Sequence, residues 1–175
     1  MAVARWTIDD VNGWDRQAFV ANLGFLFEGS PWIAAETWAK RPFADRADLH
    51  RKLCETLDQA TAERKRALIR AHPDLVGRAA LTGTLTREST GEQRAAGLDP
   101  DALSSDEIAT FSRLNESYKE TFRFPFVICA RENKKESILA GFRARLTNSR
   151  ETEIATALGE IAKICHYRLA DVVSG

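Results

Sequence analysis

A chain of 175 residues is long enough to bury a substantial core, and 44% hydrophobic with 29% charged residues is ordinary for a globular protein. Lysine plus arginine equals aspartate plus glutamate at 25 each, so no global field draws the chain to nucleic acid or to an anionic membrane, and neither is expected as a partner. The three cysteines, Cys54, Cys129 and Cys165, are odd in number and far apart, which excludes a disulfide framework from the expectations.

The opening MAVARWTIDDV carries acidic residues where a secretory signal needs an apolar core, and nothing resembles a spanning segment. A cytoplasmic location is expected. Asp9 to Phe27 carries a helical stripe of Phe19, Val20, Leu23, Leu26 and Phe27. Ser30 then reads as an N-cap with Pro31 at the first helical position, opening Trp32 to Trp38, and Pro42 closes that piece. Asp45 to Gln59 repeats the pattern with Leu49, Leu53 and Leu57, and Ala60 to Ala71 is rich in helix formers. Ser105 to Phe122, Lys134 to Leu146 and Glu151 to Val173 complete the long helices. Only the short run from Phe124 to Cys129 breaks the helical reading. The expected fold is all-α, one compact domain over residues 1–175 with about eight or nine helices.

The chemistry concentrates between Ala71 and Leu98. Pro73 restricts His72 away from helical geometry, so the preceding helix ends at Ala71 or His72. There the ring lies near the negative end of the helix dipole, which favours the imidazolium. Ser89-Thr90-Gly91-Glu92 matches a capping box, with Ser89 as N-cap of a new helix and Glu92 reaching back to its amide. Gly77 and Gly83 make the intervening stretch turn-like, so the two helix ends can fold toward each other. Each of these features has an ordinary structural reading as well: a packed histidine and an ordinary helix start.

Phe124-Pro125-Phe126-Val127-Ile128 is an apolar, proline-fixed interruption. It serves either as a buried connector or as a wall whose backbone groups bind a polar ligand. In the last helix Ile154, Leu158, Ile161, Cys165 and Val172 form a stripe that contains Arg168, which must carry its head group out to water or meet an anion. His50 and Cys54 share a helix face, but two ligands do not make a metal site; Cys165 and His166 point apart. No structural metal is expected. A cysteine hydrolase built on Cys129 or Cys165 lacks a visible base. A helical interaction module remains the alternative from another class.

Taken in order, several of these segments resemble one family. Phe27-Glu28-Gly29-Ser30-Pro31-Trp32, His72-Pro73-Asp74-Leu75, Leu85 through Gln93, Leu114-Asn115 with Tyr118, Phe124 through Ile128 and Lys163 through Leu169 together resemble 2-oxo-4-hydroxy-4-carboxy-5-ureidoimidazoline (OHCU) decarboxylases of urate degradation. The resemblance implies a cofactor-independent carboxy-lyase that yields (S)-allantoin, working as a homodimer. It also implies His72 as proton donor and Glu92 as a second catalytic group. Pro73, Ser89, Thr90, Gly91 and Gln93 would line the substrate, with Phe124, Pro125, Phe126, Val127 and Ile128 as the other wall. Arg168 is the candidate for the family's arginine, with Arg131 and Arg145 as alternatives. Gly29 departs from the family, where histidine is expected. The closing Asp171-Val172-Val173-Ser174-Gly175 carries no peroxisomal tripeptide, in keeping with the cytoplasmic expectation.

Overall fold

A computed structural model of the chain describes residues 5–175. Ten α-helices and four short 3-10 turns make up its regular structure, and the described residues contain no named strand. The all-α expectation is met, and the short helices at 8–13 and 78–81 bring the count to ten. One isolated parallel bridge pairs Trp6 with Val173, and the amides of Arg5 and Trp6 both donate to the Val172 carbonyl at 3.0 Å. No helix among the described residues is long and apolar enough to cross a membrane.

The chain divides into two compact units: one takes the chain up to Leu68 together with Ala162–Gly175, and the other takes Ile69–Ile161. The first holds α1 (Ile8–Gly13), α2 (Arg16–Leu23), α3 (Trp32–Thr37), α4 (Arg46–Asp58) and the start of α5 (Ala62–Ala71). Phe19, Leu23, Ile33, Leu49 and Leu53 are fully buried at its centre. The single helix expected over Asp9 to Phe27 is instead two helices and a 3-10 turn at Gly24–Leu26. Local capping explains the break. Thr7 and Asp10 form a capping box that starts α1, and the Asp15 side chain accepts the Ala18 amide at 2.8 Å to start α2. Ser30 does not cap α3 with its side chain; its carbonyl accepts the Ile33 amide at 3.2 Å, and Pro31 occupies the cap position. Asp45 caps α4 as the acidic residue before its apolar repeat suggests.

The second unit contains α6 (Arg78–Leu81), α7 (Arg87–Ala95), α8 (Ser105–Phe122), α9 (Lys135–Arg145) and the first half of α10 (Arg150–Val172). Ser104 and Glu107 close a full capping box on α8, and Arg123 ends it in the left-handed region at φ 67°. That reversal feeds the chain into the Phe124–Cys129 connector. The core here is aromatic: the Tyr118 ring lies 4.6 Å from Phe122 and 5.3 Å from Phe126, and Phe126 stacks on Phe142 at 3.8 Å. Each such pair contributes about 0.5–1.5 kcal/mol beyond the area it buries. The connector is therefore extended and yet part of the core.

Candidate active site

Helix α5 ends at Ala71, and the His72 amide closes the last turn on the Ile69 carbonyl at 3.2 Å. His72 itself is buried, at 8% exposure. Beyond Pro73 the chain makes a tight loop from Asp74 to Gly77. A Cβ on Gly77 would sit 2.5 Å from the Asp74 Cβ, so only glycine fits there. Val76 adopts φ 50°, a left-handed conformation that costs a β-branched residue about 1–3 kcal/mol unless its surroundings enforce it. They do. The Val76 amide donates to Gln93 Oε1 at 3.0 Å, Gln93 Nε2 reaches the Asp74 carbonyl at 3.4 Å, and Asn115 Nδ2 donates to the Leu75 carbonyl at 2.9 Å. Lys119 adds an ion pair to the Asp74 carboxylate.

Helix α7 starts one turn earlier than the capping-box pattern implies. Thr86 is the N-cap, and its hydroxyl accepts the Ser89 amide at 3.2 Å. The reason is burial: Ser89 and Gln93, four residues apart and 5% and 4% exposed, share the face that packs inward, so the helix must already be formed at Ser89. Glu92 is consequently in the body of the helix, half-buried, and released from the capping duty the sequence pattern assigned to it. Thr90 is also half-buried and donates its hydroxyl to the Thr86 carbonyl at 2.9 Å. Gly91 is exposed, and nothing stands within 4 Å of where its Cβ would be. Gln93, uninformative in sequence, ties the loop after His72 to the helix that carries Ser89 and Glu92.

Phe124, Phe126 and Val127 are 1–3% exposed, Pro125 is buried and Ile128 is half-buried. Side chains of the protein satisfy part of this connector's backbone: Arg145 Nη1 donates to the Val127 carbonyl at 2.7 Å, and the Cys129 amide donates to Glu160 Oε2 at 2.8 Å. Arg145 also lies over the Phe126 ring at 4.2 Å and donates through Nε to Glu153 Oε1 at 2.8 Å. Glu153 is fully buried and accepts further bonds from the Tyr118 hydroxyl at 2.6 Å and from Asn148 Nδ2 at 3.2 Å. Burial and the adjacent Glu153 raise the Tyr118 phenol above its ordinary value. This network of Tyr118, Arg145, Asn148 and Glu153 escaped sequence reading, where Glu153 looks like an ordinary acidic residue in a helix's first turn.

Arg168, in the other unit, is 2% exposed and does not reach water: Nη1 pairs with Glu28 Oε2 at 2.9 Å and donates to the Phe25 carbonyl at 3.1 Å. Of the alternatives, Arg131 is exposed and Arg145 is the partner of Glu153. Gly29, beside Glu28, has φ 57°, which suits glycine better than histidine. A cavity of about 340 Å³ opens between α6, α7 and the turn at Pro100–Ala102; Thr90 and Gln93 stand in its wall. Cys129 and Cys165 are buried, and burial pushes the Cys129 thiol up to about 11 and the Cys165 thiol well above its ordinary value, the reverse of what a nucleophile needs. His50 Nε2 contacts the Ala162 carbonyl at 2.9 Å and Cys54 Sγ at 3.6 Å, and no group of three or more metal-ligating side chains forms among the described residues.

The family model described as OHCU decarboxylase matches residues 12–170. The 2-oxo-4-hydroxy-4-carboxy-5-ureidoimidazoline decarboxylase of Amia calva is 43% identical over 93% of this chain and 92% of its own length. The enzyme of the same name from Xenopus laevis is 36% identical over 94% and 93%. The uric acid degradation bifunctional protein PucL of Bacillus subtilis is 39% identical over 97% of this chain, which spans 33% of that longer protein. In fold, the chain is similar to a crystal structure of (S)-allantoin synthase (TM-score 0.73, 24% identity, 95% of this chain and 54% of that one). It is also similar to an OHCU decarboxylase crystallised in the presence of (S)-allantoin (TM-score 0.67, 20% identity, 90% and 96%). The chain belongs to the OHCU decarboxylase family.

Proposed function

We propose that the chain decarboxylates 2-oxo-4-hydroxy-4-carboxy-5-ureidoimidazoline to (S)-allantoin, with His72 and Glu92 as its catalytic groups. The observation that carries this assignment of residues is the Gln93 tie, which joins the loop behind His72 to the helix bearing Ser89 and Glu92. The carboxylate leaves from a carbon that also bears a hydroxyl and adjoins a ring C=N. The electron pair of the breaking C–C bond becomes a ring C=C, the C=N pair moves to nitrogen, and carbon dioxide departs. The ring nitrogen takes up a proton, the hydroxyl gives up its own to become the carbonyl, and the carbon bearing the ureido group gains one, so one proton net replaces the departing carboxylate. The substrate thus contains its own electron sink, and the protein's task is orientation and proton delivery.

In this reading His72 delivers the proton to one face of the ring, and Glu92 polarises the hydroxyl or holds the ureido group. Ser89, Thr90, Gly91 and Gln93 fix the substrate on α7. Gln93 uses one N–H and one lone pair on the loop, and its amide has a second of each to offer. Pro73 and the Phe124–Ile128 connector form the remaining walls. The family match runs through both compact units, which supports one functional domain over residues 1–175. Homodimeric assembly and a cytoplasmic location complete the proposal; light scattering of the purified protein tests the first.

The deciding experiment is His72→Asn, read by the chirality of the allantoin formed. Positioned acid/base catalysis is worth about 10²–10⁴-fold, so the folded variant should lose that factor and yield near-racemic product through the spontaneous route. A folded His72→Asn protein that still gives one enantiomer at the full rate would remove His72 from the mechanism.

A further inference from the structure

We propose that Asn115 is a positioning residue for His72, acting through the loop Asp74–Gly77; the proposal rests on the assignment of His72 made above. Asn115 stands on the buried face of α8, 4% exposed, and its Nδ2 donates to the Leu75 carbonyl at 2.9 Å. Its Oδ1 is buried and finds no hydrogen-bond partner among the described residues. A buried acceptor without a partner works against stability, and a leucine of similar volume would avoid that cost. In stability the unmet Oδ1 offsets the bond that Nδ2 makes, so Asn115 holds no clear advantage over leucine. What it contributes that leucine cannot is one bond to one carbonyl.

That carbonyl precedes Val76, whose left-handed backbone is the most constrained feature of the loop. The constraint is imposed from two sides. Gln93 on α7 holds the Val76 amide and the Asp74 carbonyl, while α8 holds the Leu75 carbonyl through Asn115 and the Asp74 carboxylate through Lys119, one turn further along the same face. Pro73 fixes φ between His72 and this anchored stretch. Gly77 admits no side chain at the far end. The path from Asn115 to His72 is therefore a short run of backbone with little freedom. A loop freed at Leu75 lets Val76 relax toward ordinary backbone angles, and the shift passes through Pro73 to His72. An imidazole that must reach one face of a planar ring tolerates little displacement, since misplacement on the order of 1 Å costs about 10²-fold.

The test is Asn115→Leu, which removes the donor and the unsatisfied acceptor together. The expected result is a melting temperature within a few degrees of the unmodified protein, since loss of the unsatisfied Oδ1 offsets the stranding of the Leu75 carbonyl, with kcat lowered roughly 10- to 100-fold and KM within threefold. The enantiomeric excess of the allantoin should fall as the spontaneous route gains share, and the Val76 amide should exchange with solvent at least about tenfold faster. Asn115→Ser, whose hydroxyl is too short to reach Leu75, should show the same kcat loss and serves if leucine does not pack. The proposal is overturned if either folded variant keeps kcat within twofold, if only KM changes, or if Val76 exchange is unaltered. Those results leave the decarboxylase reading standing. An unmodified protein that yields racemic allantoin at the spontaneous rate brings down both.

Discussion

Replacing Glu153 with leucine should destabilise the protein far more than a typical substitution at the end of a helix. Glu153 has no exposed surface and receives bonds from Arg145, Tyr118 and Asn148. Its removal strands the Arg145 guanidinium, whose side chain is 11% exposed, with the Val127 carbonyl and the Phe126 face as its remaining strong partners. Breaking a buried ion pair from one side costs about 3–5 kcal/mol, because the surviving charge keeps its desolvation penalty. For a chain of this length, each kcal/mol shifts the melting temperature by about 2–4 °C, so a fall of roughly 6–20 °C is expected. Urea unfolding followed by far-UV circular dichroism and by tryptophan fluorescence measures the loss directly. The double variant Glu153→Leu with Arg145→Met should recover a large part of it, since neither charge is then left alone. Its activity should nonetheless stay low, because the Val127 carbonyl has lost its donor and the connector its anchor. The reasoning fails if Glu153→Leu costs less than about 1 kcal/mol, or if the two changes simply add.

Gly91→Ala should raise stability by about 0.5–1 kcal/mol, because a glycine inside a helix is costly and the space beside it is open. If substrate uses that space, KM rises at the same time; a variant that gains stability and binds substrate normally removes Gly91 from the proposed binding surface. Tyr118 is held protonated in the folded state, so folding binds a proton that the unfolded phenol releases above about pH 10. Stability is accordingly full below pH 10 and falls as pH rises beyond it, and Tyr118→Phe should flatten that alkaline limb in urea titrations. Iodoacetamide at neutral pH should modify the native protein slowly and leave decarboxylation intact, since burial raises the Cys54 and Cys129 thiols to about 11 and Cys165 well above its ordinary value. Rapid alkylation with loss of activity would revive a thiol mechanism.

Elements governed by local physics were legible in the sequence. Pro73 acts within a turn of itself, and the structure ends α5 where it indicates; the helix expected over Ser105 to Phe122 is likewise found with those bounds. Ser89 was misread for a related reason: it satisfies the same local pattern as a cap, and only its burial against distant chain reveals that Thr86 holds that position. The interruption after Gly13 was missed because the apolar stripe begins only at Phe19 and carries no information about the residues before it. Gln93, Asn115 and Glu153 draw their roles mainly from partners 8–40 residues away, with Asn148 the one nearer to Glu153, and no periodicity rule reaches them. Glu28 sat inside a recognised motif, but its pairing with Arg168 spans 140 residues and needed the fold.

Placing the cap of α7 at Thr86 sets the rotational phase of every residue after it. A helix turns about 100° per residue, so deleting or inserting one position between Arg87 and Glu92 would swing Gln93 off the loop it holds. The turn from Thr82 to Leu85 lies upstream of the cap and carries no such register, so its length can vary without rotating α7. Evolution and protein engineers accordingly meet a sharp border at Thr86. Within the turn before it, a change of length leaves the phase of α7 alone; after it, a single residue disconnects the helix from the loop that follows His72.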